Sequence, residues 1–288
     1  MPTTPFIYIS GYKFTRLQDI SSFRYSWKEK LKLQGLKGTI LLSEEGININ
    51  LSGSPLQIDF AKGLIRSHPK LEDIQFKESH AEFHGFNRLL VKHKPFLIPF
   101  SCDVSREKHA TNYITPQQLK QWLDRGKEFL LIDTRNTYEY RLGTFEGAIH
   151  LNIRHFKTFQ KKWTELNIGD QHPIVTFCTG GIRCEKAAPF LVQAGHSRVY
   201  QLEGGILNYF EKEGSAYWKG HCFVFDKRVS LDPQLKPTNI VQCFVCRSPV
   251  TPAEQEDPRY ILEKSCPYCY LEKENLFLDK NSLAFSKL

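Results

Sequence analysis

The segment Cys178-Thr179-Gly180-Gly181-Ile182-Arg183-Cys184-Glu185-Lys186 constrains this chain more than any other. An apolar β-forming run, Pro173 to Phe177, leads into it, and a run with helical spacing, Glu185 to Gln193, leads out. A cysteine at such a strand end, followed by two glycines and a helix start, requires an α/β unit whose loop turns backbone N–H groups onto one sulfur. Those amides, the positive end of the helix dipole and Arg183 favour the thiolate, so Cys178 is predicted to ionise unusually easily. Arg183 is read as a second catalytic residue that stabilises an anion. Thr179, Gly180, Gly181, Ile182 and Cys184 complete the active-site loop. Cys184 could resolve an oxidised Cys178 or simply pack, and packing is the favoured reading.

With 288 residues, the chain has room for two or three modest domains. Residues 5–95 read as β-α-β-β-α-β, with strands at 6–10, 38–43, 47–52 and near 74–77, helices near 19–34 and 55–67, and a further strand near 88–92. This is the order of a ferredoxin-like α+β sandwich. Gly46, in Glu44-Glu45-Gly46, supplies the turn between the middle strands. Residues 96–112 read as a linker. Thr115-Pro116-Gln117-Gln118 is a capping-box helix start, and further strands are expected at Phe129–Asp133, Ala148–Asn152, Ile174–Cys178 and Val199–Leu202. Strands alternating with helices predict a parallel sheet covered on both faces, with its site at the strand C-terminal ends. The expected division is therefore 1–95, a linker at 96–112, a catalytic α/β domain at 113–220 and a Cys-rich tail at 221–288.

Cys243-x-x-Cys246 and Cys266-x-x-Cys269 are separated by 19 residues, the spacing of a four-cysteine zinc site. Four thiolates close a tetrahedron and leave no position for water, so a structural zinc is expected. His221 and Cys222 are less suitably spaced. The N-terminus lacks a basic and apolar leader, and no apolar run reaches the roughly 18 residues of a membrane span, so a cytoplasmic protein with no membrane partner is expected. The net charge of +8, with its excess in the first two thirds, is compatible with a polyanionic partner such as RNA. No glycine-rich flavin or nicotinamide fingerprint follows a strand. His80-Ala81-Glu82 is a weak fragment of an iron triad, better read as a solvated strand end. Tyr12, Tyr25 and Trp27 could stack on bases, but core packing is favoured for them.

The order and spacing of Asp133-Thr-Arg135, Glu139-Tyr140, Gly147-Ala-Ile-His150, the Cys178 loop and Gly204-Gly-Ile206 resemble the rhodanese family. That resemblance implies a persulfide-forming Cys178. Four residues lie between Cys178 and Arg183, one fewer than in the phosphate-cradling loop of related phosphatases, which points to sulfur rather than phosphate chemistry. Asp133, Arg135 and Glu139 are read as a structural ion-pair set.

Across nearly its whole length the chain also resembles the bacterial tRNA uridine hydroxylases that join a ferredoxin-like domain to a rhodanese domain. Lys37-Gly-Thr-Ile-Leu-Leu42, Glu45-Gly-Ile-Asn48, the Cys178 loop and Cys222-Phe-Val-Phe-Asp226-Lys-Arg228-Val229 carry that likeness. It implies an enzyme that converts the wobble uridine, position 34 of tRNA, to 5-hydroxyuridine with molecular oxygen as cosubstrate. The expected partner is the anticodon arm of tRNA. The alternative is a sulfurtransferase acting on a small acceptor or on tRNA, and a third reading is an RNA-binding scaffold.

Overall fold

The computed structural model describes residues 6–100, 111–166 and 168–270. Parts of the expected linker, 101–110, and of the tail, 271–288, lie outside the described residues.

The first unit runs β1 Phe6–Phe14, α1 Ile20–Leu33, β2 Lys37–Ser43, β3 Gly46–Gly53, α2 Pro55–Arg66, β4 Lys77–Ala81 and β5 Leu89–His93. Its sheet has the order β4-β1-β3-β2-β5; the first four strands form the ferredoxin-like arrangement, and β5 adds in parallel to the free edge of β2. Period-2 alternation divides this sheet sharply. Ile9, Ile40, Leu42, Ile47, Ile49 and Leu51 point to the helices and join Trp27, Leu31, Ile58 and Ile65 in one buried core. Tyr12, Asn48, Asn50 and Thr39 point the other way.

Gly46 stands where β1 crosses the hairpin at its closest. Its φ is +140°, and a Cβ there would meet the Lys13 carbonyl oxygen at 2.1 Å. The fourth strand begins at Lys77 rather than near Ile74. Leu71 and Ile74 are buried in the turn before it, so their apolarity serves the core and not a ladder.

The second unit comprises β6 Asn112–Ile114, α3 Pro116–Asp124, β7 Leu130–Asp133, α4 Thr137–Tyr140, β8 Gly143–Phe145, β9 Ile149–His150, α5 Phe159–Leu166, β10 Ile174–Phe177, α6 Cys184–Gln193, β11 Val199–Leu202 and α7 Gly205–Glu213. Its five-stranded sheet is wholly parallel, in the order β6-β11-β10-β7-β9, so β10 is central and the loop after it opens at the middle of the sheet edge. Thr115 caps α3 as expected: its hydroxyl accepts from the Gln118 N–H at 3.1 Å, and the Gln118 carboxamide accepts from the Thr115 N–H at 3.0 Å. Buried clusters on the two faces, one around Phe159 and Leu191 and the other around Phe145 and Tyr209, hold helices against both sides of the sheet.

The rest of the chain packs onto this unit. β12 Trp218–Gly220 pairs with β8, and Cys222, at the start of β13 Cys222–Phe223, enters the core around Phe145. β14 Ser230–Leu231 pairs with β13; β15 Val241–Gln242 and β16 Pro249–Val250 form a hairpin before the short α8 Pro252–Gln255. Among the described residues no helix is long and apolar enough to cross a membrane.

Candidate active site

Cys178 sits at the end of β10, where the chain turns back to start α6. Gly181, at φ +97°, directs its N–H onto the Cys178 Sγ at 3.1 Å. Behind the loop, the first turn of α7 clamps its backbone: Ile206 donates to the Cys178 carbonyl at 3.0 Å and Leu207 to that of Thr179 at 3.1 Å. So close a clamp requires glycine at 205, since a Cβ there would lie 2.3 Å from the Cys178 carbonyl oxygen.

Burial by itself would push the Cys178 thiol up. The thiol of Cys184, the charge of Arg183 and the N–H groups of Arg183 and Gly181 outweigh it and hold the group down at about 5. Cys184 is driven the other way, well up, by burial and by the neighbouring sulfur. The two sulfurs therefore share one proton, with the anion on Cys178 and the thiol on Cys184.

Arg183 is not an open anion grip. Its Nη1 and Nη2 donate to the two carboxylate oxygens of Glu139 at 2.6 and 2.7 Å, and Glu139 is fully buried. Its part in the site is electrostatic, a fixed positive charge behind the sulfur. Glu139 also accepts from the Asn136 N–H at 3.0 Å in the capping box of α4, so the ion pair with Arg183 ties that helix to the loop. Asp133 and Arg135 form a second buried ion pair, with Arg135 Nη2 at 2.6 Å from the Asp133 carboxylate and also donating to the Gly143 carbonyl. These pairs make up the structural set expected from the sequence. A Glu139→Gln variant leaves the Arg183 charge buried without its counter-ion, and a loss of about 3 kcal/mol or more is expected in urea unfolding. An unchanged midpoint would show the pair to be dispensable.

The loop faces a cavity of about 1300 Å³ between the two α/β units. Thr179, Gly180 and Ile182 line its floor with Cys178, while the polar face of the N-terminal sheet forms its roof. Several contacts hold roof to floor. The Tyr12 hydroxyl donates across the cavity to Glu185 at 3.1 Å, whose same oxygen also accepts from Tyr113 of the floor unit at 2.9 Å. Lys186 pairs with Glu45, and the Lys77 ammonium donates to the Gly204 carbonyl. The C-terminal segment adds a strap: Arg228, ion-paired with Asp226, donates to Ser79 at 2.6 Å and lies over the Tyr8 ring at 3.9 Å.

Lys77 went unnoticed in the sequence because it belongs to no motif and comes from the other unit. Burial pulls its amine down to about 8, against the opposing pull of the Cys178, Glu211 and Glu203 charges. Of the three aromatics weighed as base stackers, Trp27 is core, Tyr25 is exposed and distant from the roof, and Tyr12 alone lines the cavity.

The four tail cysteines form a separate centre. Their sulfurs all lie within 4.8 Å of one another, with pairs at 3.5, 3.8 and 4.0 Å. Bonds of about 2.3 Å to a tetrahedral zinc place sulfurs about 3.8 Å apart, so the residues fit that ion. Among the described residues no other His, Cys, Asp or Glu group forms such a cluster, His80 and Glu82 included. Cys222 stays in the core, its thiol pushed up to about 12 by burial.

Residues 6–96 match the family model of the UPF0176 acylphosphatase-like domain, and residues 115–212 match that of the rhodanese-like domain. A protein of Cupriavidus necator named tRNA uridine(34) hydroxylase is 43% identical over 273 residues, spanning 92% of this chain and 97% of its own length. The chain belongs to the tRNA uridine(34) hydroxylase family. Proteins of the same name from Cupriavidus metallidurans and Paraburkholderia xenovorans are 44% and 42% identical, each spanning 91% of this chain and 95% of the relative. The matches extend well beyond the rhodanese-like unit, so the family likeness takes in roof and floor together.

Proposed function

We propose that this chain is a tRNA-modifying enzyme that hydroxylates C5 of the wobble uridine in the anticodon arm, with molecular oxygen as cosubstrate and Cys178 as nucleophile. One observation carries the reading: Cys178, its sulfur held by the Gly181 N–H beside the charge of Arg183, stands in the wall of a cavity large enough for a nucleotide and closed by a second domain. A base can reach a sulfur so enclosed only when swung out of its stack. Excess positive charge over the first two thirds of the chain supports contact with the tRNA backbone.

The sulfur anion adds to C6 of the uracil and the C5–C6 π pair moves toward O4, so C5 becomes electron-rich. Loss of the C5 proton with cleavage of the S–C6 bond later returns the thiolate. Placing one oxygen atom of O₂ on C5 and releasing the other as water draws two electrons from the base and takes two electrons and two protons from a thiol reductant, which ends as a disulfide. Arg183, Gly181 and Cys184 hold the anion on Cys178 between turnovers. Lys77 carries the proton balance at the cavity wall, as an ammonium facing the developing enolate. Cys243, Cys246, Cys266 and Cys269 would hold a structural zinc that supplies folding energy to the tail and takes no part in the reaction.

The decisive experiment measures tRNA nucleosides by mass spectrometry in cells lacking the protein, rescued with wild type or Cys178→Ala. Restoration of 5-oxygenated uridines by wild type alone is expected. Unchanged 5-oxygenated uridines with a fall in 2-thiouridine would instead identify a sulfurtransferase.

The rate should rise with pH through about 5 as Cys178 ionises and fall through about 8 as Lys77 loses its proton. Lys77→Met should lower the plateau rate and remove the alkaline fall. An alkaline limb that survives in Lys77→Met would assign it to another group.

A further inference from the structure

The roof of the cavity has an order that the reaction proposed above does not use. Ser10 and Tyr12 on β1, Asn48 and Asn50 on β3, and Thr39 and Leu41 on β2 all line it. Strand register sets them in two rows, Ser10–Asn50–Thr39 and Tyr12–Asn48–Leu41. Directly opposed side chains in antiparallel strands stand about 5 Å apart, so the six form a nearly flat patch about the width of a pyrimidine. Two polar carboxamides occupy its centre, on a sheet whose other face carries the apolar core of the unit.

The amides constrain each other: Asn50 Nδ2 lies 3.4 Å from Asn48 Oδ1. Among the described contacts that is the only hydrogen bond either side chain makes. That leaves both N–H donors of Asn48, and one N–H and the carbonyl oxygen of Asn50, on side chains that line the cavity. Uracil presents the complement, the acceptor O4 beside the donor N3–H. The patch also touches the reacting centre. The Tyr12 hydroxyl reaches Glu185 on the first turn of α6, and a Cβ on Gly181 would come within 2.8 Å of it.

We propose that this patch is the seat of the flipped uracil, with Asn48 and Asn50 reading its O4 and N3–H edge and the Tyr12 ring guiding the base toward Cys178. This rests on the hydroxylase reading. Stacking and edge contacts from a sheet face are a general way to read unpaired RNA bases. Here the sheet belongs to one unit and the nucleophile to the other, so each supplies what the other lacks.

The test uses the full chain and anticodon stem–loops carrying uridine or 3-methyluridine at position 34. Methylation deletes the N3–H, so wild type should turn over the methylated RNA about tenfold to a hundredfold more slowly in kcat/KM. Asn50→Leu should fall by a similar factor on uridine, mainly through KM, and should no longer distinguish the two RNAs. The Cys178 thiolate absorbance should titrate as in wild type. If Asn48→Leu and Asn50→Leu both stay within twofold of wild type, or both keep the full preference for uridine, the base seat is elsewhere.

A second arm does not depend on turnover. 4-Thiouridine at position 34 should photocrosslink to the tryptic peptides ending at Lys13 and spanning Gly38–Lys62. Crosslinks confined to other peptides, with hydroxylation intact, overturn this inference alone. Crosslinks to these peptides without any wild-type hydroxylation uphold the base seat and overturn the reaction.

Discussion

Replacing Cys178 by Ser or Ala is expected to lower 5-hydroxyuridine formation by a factor of about 10³ or more, with the fold retained. The Ser variant is the sharper of the two. It preserves the shape of the loop and can still accept the Gly181 N–H, but a hydroxyl is not ionised near neutral pH by the groups that ionise a thiol here. The amides and the Arg183 charge would then surround a neutral atom that cannot add to C6. Purified variant and wild type should give the same circular dichroism and unfolding midpoint, while single-turnover assays on an anticodon stem–loop separate them. A Ser variant with more than a tenth of the wild-type rate would remove Cys178 from the chemistry. In that case the loop would serve to bind the substrate rather than attack it.

The second large effect concerns the tail. One zinc per chain is expected by elemental mass spectrometry, and it should be lost in Cys243→Ser and in Cys266→Ser. The buried apolar content of this segment is small: Val250, Cys243, Cys266 and Cys269, with Val241 and Tyr260 partly buried. A cluster of that size cannot offset the ordering entropy of some thirty residues at ~1–2 kcal/mol each. Structural zinc sites contribute about 10–16 kcal/mol in isolated finger peptides. Strong chelation should therefore open residues from about 241 onward to protease while the two α/β units stay resistant. The tail's seat on the central unit should be lost with it, including the Arg141 bond to the Pro249 carbonyl at 2.8 Å and the stacking of Arg141 on Tyr268. Metal-free protein with an equally protease-resistant tail would show that packing alone suffices.

Residues close in sequence were the ones whose role could be read early. The Cys178 segment is nine residues long and specifies turn and helix start within itself, with the strand in the five residues before it. The tail cysteines form two local knuckles, each a Cys-x-x-Cys turn. The capping box at Thr115 needed only its own four residues. The sequence predicts the fourth strand a few residues early because Leu71 and Ile74 are apolar for the core's sake, and periodicity over so short a run does not separate the two causes. The fifth strand of the N-terminal sheet had a visible segment but no visible partner. Its parallel pairing with β2 depends on which edge of the sheet is free.

Arg183 illustrates the boundary within the site itself. Its place at the end of the loop was apparent from the sequence, and so was its charge. That the charge is locked by Glu139, 44 residues earlier, was not. The same argument applies more strongly to the roof. Alternation along β1 announces that Tyr12 and Ile9 face opposite ways, but a polar sheet face ordinarily meets water. Only packing of the two α/β units sets Tyr12 against Glu185, 173 residues away, and brings Lys77 and the two asparagines into one cavity with Cys178.

The amino-acid sequence by itself determined the Cys178 loop, the spacing of the four tail cysteines, the two α/β units and the family, because each is encoded in short-range spacing or in position-by-position likeness. Tertiary structure decided what surrounds the sulfur. Those neighbours are set by how two independently folded surfaces meet, and no local rule of backbone or side-chain pattern specifies that meeting.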